Sequence, residues 1–155
     1  MARILYCGDV GVQTGFGRVA EYLIPALAKE HEVHALAVNW HGDPSEMQQH
    51  CKMYPAMAYG PDPFGSHRIA AVISSVQPDL VWVTNDIWIA LQLWQQAKPL
   101  QEKLGFKWFV YTPIDSYGLF PDINEAMMEW DGLATYTEFG KKEIRSEEHT
   151  SELQS

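Results

Sequence analysis

The residue types best suited to chemistry gather in one stretch, Gly8 to Val19, reading GDVGVQTGFGRV. Four glycines fall within it: Gly8, Gly11, Gly15 and Gly17. Glycine lets another group come close to the backbone. Thr14 stands where a hydroxyl would cap the helix that follows. A helix opening behind such a loop presents unpaired N–H groups and the positive end of its dipole. That is a seat for an anion, usually a phosphate. Thr14, Gly15, Phe16, Gly17 and Arg18 are therefore the candidate phosphate-binding residues. A turn that only packed the helix on a sheet would need one glycine rather than four.

Further candidates stand at the ends of apolar runs. Asn85 and Asp86 follow LVWVT, and Asp86 also fits as the N-cap of the next helix. Asp115 and Ser116 lie in PIDSYG, which leaves the run KWFVYT. Asp115 could act as a general base or bind a hydroxyl; an aspartate in such a turn is equally common for local reasons. His41, in NWHGD, is at a strand end, whereas His31, His34, His50 and His67 read as surface or structural. None of these histidines shows metal-ligand spacing, so no metal is expected. Trp40, in the same loop as His41, could stack on a sugar ring. Glu138 opens the last helical stretch. Neither G-x-S-x-G nor a P-loop motif is present, which leaves nucleophile-elbow hydrolases and P-loop enzymes without support.

These residues need elements to hold them, and the apolar patterning supplies them. Strands are expected at Arg3 to Cys7, Glu32 to Val38, weakly at Lys52 to Tyr59, and at Leu80 to Thr84, Lys107 to Thr112 and Gly132 to Tyr136. Helical spacing is expected from the glycine loop to about Glu30, over Ile69 to Val76, over Ile87 to Lys103, and over Pro121 to Trp130, with proline at its first position. Pro25 predicts a kink near Glu21 to Tyr22. Trp88, Leu91 and Trp94 are expected on the apolar side of the third helix, and most of the six tryptophans in the core. The alternation implies an α/β fold, a Rossmann-like three-layer α/β/α sandwich on a mostly parallel sheet of about six strands. Ligands of such sheets bind beyond the C-terminal ends of the strands. Every candidate above stands at such an end or at the helix start behind it.

Gly15, Gly17 and Ala20 spell G-x-G-x-x-A, the dinucleotide fingerprint in letters. The segment Gly8 to Thr14 separates the first strand from it, and Asn39 and Trp40 stand where an acid should end the second strand. A nicotinamide-binding module is thus the weaker reading. A non-catalytic α/β assembly domain is a third.

The length, 155 residues, suits one domain with a real core. The net charge of −9 argues against nucleic acid as a partner, which would want a basic face. There is no apolar run long enough for a transmembrane helix and no signal-peptide pattern, so a cytoplasmic protein is expected; membrane association of a longer parent is not indicated. Cys7 and Cys51 fit two reduced thiols, Cys7 within a strand. The final stretch, Arg145 to Ser155, reads RSEEHTSELQS and resembles one reading frame of a widely used sequencing-library adapter. On that reading residues 145–155 are a non-native tail, and residues 1–144 are one domain cut from a longer protein. Without that tail's one arginine and three glutamates the charge is −7.

In succession, RILYCGD, TGFGRVAEYL, HEVHALAVNWHGDP, PDLVWVTND, FVYTPIDSYG and TYTEFGKKEI resemble the N-terminal domain of a GT-B glycosyltransferase of family 4 character, from Arg3 to about Ile144. The resemblance implies two Rossmann-like domains facing across a cleft. The N-terminal one would bind the acceptor, a small molecule, glycan or lipid; the missing C-terminal one would hold most of a nucleotide-sugar, the co-substrate. Amides of Gly15 to Gly17 would approach the donor diphosphate from the acceptor side. The resemblance further implies retaining transfer without metal or other cofactor. Many members carry a histidine in the loop where this chain has Asp115. The fragment alone is expected not to transfer sugar, since both substrates must be positioned together.

Overall fold

A computed structural model describes residues 1–57, 62–113 and 121–135. The strands are β1 (Arg3–Asp9), β2 (Glu32–Val38), β3 (Lys52–Pro55), β4 (Leu80–Thr84), β5 (Lys107–Thr112) and β6 (Gly132–Thr135). The helices are α1 (Gly15–Ala28), α2 (Ile69–Val76), α3 (Ile87–Leu104) and α4 (Pro121–Glu129), with a 3-10 turn at Glu46–Gln49. The strands form one sheet in the order β3-β2-β1-β4-β5-β6, and every pairing is parallel. This is the doubly wound arrangement, and the strand order reverses between β1 and β4.

The two faces of the sheet carry separate cores. Leu5, Cys7, Leu36, Val38, Val81, Val83, Trp108 and Val110 face α2, α3 and α4. Tyr6, Val33, Ala35 and Ala37 face α1, whose Ala20 and Ile24 meet them, and the 3-10 turn, whose Met47 joins them. The period of two along β1 and β2 thus sends alternate side chains to opposite layers. Fully burying an aliphatic or aromatic side chain of this kind is worth about 1.5–3 kcal/mol.

Several expectations are corrected. β1 runs two residues further than read, through Gly8 to Asp9, because Gly8 and Asp9 pair with Ala37 and Val38 of β2. β3 stops at Pro55, short of the expected Tyr59, although the Ala56 N–H still donates to the Ala37 carbonyl at 3.1 Å. The 3-10 turn was not foreseen; Ser45 caps it, its hydroxyl accepting from the Met47 N–H, while Gln48 accepts from the Ser45 N–H. Trp40 is only 7 % exposed, its indole N–H donating to the Asp43 carbonyl at 2.8 Å, so it offers no stacking face. Trp88 is 49 % exposed and not part of the core.

Both cysteines are buried and free. Burial pushes the Cys51 thiol up to about 11 and raises Cys7 further still. Neither is a ready nucleophile at neutral pH.

Candidate functional site

Because every strand is parallel, the loops after β1, β2 and β4 leave the same edge of the sheet. At the switch point the ends of β1 and β4 abut: a Cβ on Gly8 would lie 2.6 Å from the Thr84 carbonyl oxygen. Asp9 and Asn85 are the next residues on the two strands, and both are buried.

Asp9 organises the left of this edge. It is 6 % exposed, and its Oδ2 accepts from the Thr14 hydroxyl at 2.6 Å and from the Asn39 side-chain amide at 3.3 Å. The Thr14 Oγ in turn accepts from the Gly17 N–H at 3.0 Å, which is the N-cap bond of α1. One carboxylate thus ties together the ends of β1 and β2 and the mouth of α1. Burying a carboxylate is costly without donors; here a hydroxyl and an amide supply them, the hydroxyl being that of the α1 N-cap residue. Asn39 reaches Asp9 from a left-handed backbone, φ 65°, which asparagine tolerates better than most residues.

The glycine loop divides in two. Gly17 is buried, and a Cβ there would overlap the Val12 carbonyl. Its amide is taken by Thr14, so it is not available to a ligand. Gly15 is exposed, with open space where a Cβ would stand. Phe16 is half-buried, and Arg18 is exposed with its N–H bonded to the Thr14 carbonyl. The anion seat expected over Gly15 to Gly17 is thereby narrowed to its outer end at Gly15, with a carboxylate close behind it.

Across the switch point, Asn85 Oδ1 accepts from the Asp86 N–H at 2.9 Å. Asp86 is the N-cap residue of α3 by position, yet its side chain makes no capping hydrogen bond. Capping therefore does not explain an aspartate here. His41 is exposed in the loop after β2. Asp115, Ser116 and Glu138 lie outside the described residues. Among the described residues no group of His, Cys, Asp and Glu side chains could hold a metal ion, and no helix is long and apolar enough to cross a membrane.

Asp9 is the residue that reading the sequence missed. Its signal was available: a carboxylate at the very end of a buried parallel strand, five residues before the capping threonine. Reading β1 as ending at Cys7 hid it inside the loop.

No protein-family model matches the chain, and no curated protein matches it.

Proposed function

We propose that this chain is the acceptor-side half of a two-domain glycosyltransferase, moving a sugar from a nucleotide-sugar to an acceptor in the cytoplasm. In this reading Asn85 and Asp86 address acceptor hydroxyls, and Gly15 meets the donor diphosphate at the cleft. The donor half is a second domain of the same protein, transfer is retaining, and no metal takes part. The supporting observation is that the parallel sheet has its switch point between β1 and β4, with Gly15 exposed at the mouth of α1 beside it. The succession of motifs described above supplies the chemistry. The test is transfer of labelled sugar from a panel of nucleotide-sugars by the complete protein encoded by an independent clone, beside this chain alone. Turnover by the complete protein and none by the chain is the expected result; turnover by the chain alone would refute the division of labour.

One observation favours a second reading, a dinucleotide-binding module. The strand order is the one in which dinucleotides bind across the switch point. Against it, the end of β2 offers Asn39, whose amide is engaged with Asp9, in place of an acid for a ribose hydroxyl. Calorimetric titration with NAD decides between them: saturable NAD binding without nucleotide-sugar binding would favour the module.

A further inference from the structure

Beside the glycine loop lies a cleft of about 520 Å³ that the sequence did not signal. Its walls come from three places: Gly11 to Gln13 of the β1–α1 loop, Glu21 and Pro25 of α1, and Ser45 to His50 around the 3-10 turn. That volume falls within the range of small-molecule sites.

The cleft is built into the fold. Gly11 has φ +75°, and a Cβ on it would lie 2.8 Å from the Ser45 Oγ and 3.1 Å from the Met53 methyl. Only a glycine lets the loop lie against the cap of the 3-10 turn. The reciprocal Ser45–Gln48 capping box holds that turn, and Met47 anchors it in the core at 7 % exposure. The walls are thus set by backbone and core contacts, while Gln13, Glu21, Glu46, Gln49 and His50 remain exposed.

The lining chemistry selects the ligand. Glu21 and Glu46 bring two carboxylates, and no lysine or arginine lines the cleft. Neither glutamate has an ion pair among the described residues. A phosphate would meet like charge there. Gln13 and Gln49 each present both a donor and an acceptor, and His50 one of each when neutral. A simple cation would use acceptors only. Side chains that both donate and accept, beside carboxylates, match a ring carrying several hydroxyls, whose O–H groups both give and take hydrogen bonds. The half-buried Val12 and Pro25 supply apolar surface for its C–H groups.

We propose that this cleft binds an uncharged, polyhydroxylated ring compound, a saccharide or a cyclitol. Calling that compound the acceptor rests on the sugar-transfer reading; its binding does not.

The test uses the chain itself and follows the amide resonances of Gly11, Gln13 and Gln49 by ¹⁵N NMR. The probes are methyl α-glucopyranoside, myo-inositol, glucose 6-phosphate and glucosamine. Saturable shifts at these residues are expected with one or both neutral probes. The methyl glucoside and inositol arms separate a sugar from a cyclitol. Glucose 6-phosphate should bind about fivefold more weakly than the better neutral probe, the scale of one like-charge contact at an exposed site. The double variant Glu21→Gln/Glu46→Gln, both exposed positions, should bring the two within about twofold. Shifts confined to residues elsewhere, no saturable shift with either neutral probe, or tightest binding by glucose 6-phosphate or glucosamine would each overturn the assignment. Because no sugar is transferred in this experiment, its failure and the failure of the transferase reading are separate results.

Discussion

Two helices start at the switch point, and their mouths are built differently. At α1 the cap is closed by internal bonds: the Gly17 N–H donates to Thr14, and Thr14 to Asp9. At α3 the N-cap residue is also a good capping type, Asp86, yet its side chain makes no capping bond. The first arrangement spends its polar groups on holding three elements together. The second places a carboxylate at the end of β4 without that capping bond. Both mouths carry an N-cap residue of a good capping type, but of the two only Thr14 makes the capping bond with its side chain.

The sharpest way to break this comparison is within the α1 loop. Gly17→Ala should cost about 3 kcal/mol, because the overlapping atom is a backbone carbonyl that cannot move aside. Gly15→Ala, two residues away in open space, should change stability by no more than about 0.5 kcal/mol. Thermal unfolding of the pair measures both; equal losses would show that the loop is not divided as described.

Next in size is Asp9→Ala, which strips the acceptor from the Thr14 hydroxyl and the Asn39 amide and should cost about 2 kcal/mol. Urea unfolding gives the number, and a cost within error of zero would remove Asp9 from its organising role. Thr14→Ala should cost about 1 kcal/mol, the usual scale of a lost N-cap. At Asp86 no capping bond is there to lose, so Asp86→Asn should leave α3 intact by circular dichroism and lower transfer by the complete protein. Unchanged transfer in that variant would make the two mouths equivalent in function.

The smallest effect lies far from the edge. A hydrogen bond with His34, and then one with Arg3, holds the exposed Glu32 carboxyl below the usual carboxylate range. A depressed folded-state pKa means that the contribution to stability is present above the unfolded value of about 4.3 and is lost as pH falls through the lower folded value. Glu32→Gln should therefore narrow, slightly, the stability difference between neutral pH and about pH 3. An unchanged acid limb would show that solvent screens the pair out.

Much of the fold was legible. β2, β4 and α2 fall where the apolar runs and their flanking Pro and Gly residues put them, since strands covered on both faces read as continuous apolar runs. Thr14 was legible as a cap because capping is local. What was not legible depends on approach between distant segments. Asp9 acquires its partners only when β2 brings Asn39 beside β1. Trp40 and Trp88 exchange the places expected of them for the same reason. Trp40 sits in a loop that folds back over the core of the α1 side, whereas Trp88, in the first turn of α3, is 49 % exposed and stands edge-on to Phe64, the ring centroids 5.9 Å apart. Helical periodicity places a side chain on a face, but not at a covered part of that face. The cleft beside Gly11 is invisible for a similar cause: it exists between α1 and a 3-10 turn that no periodicity announces.

The central claim is that the edge at the β1–β4 switch point serves sugar transfer from a nucleotide-sugar. Its most direct test is a single-turnover assay of the complete protein with labelled nucleotide-sugar, comparing native protein with Asp86→Asn after both are shown to be folded. The account predicts label passed to an acceptor by the native protein and a marked loss in the variant. Equal transfer by both, or NAD binding with no transfer by either, would contradict it.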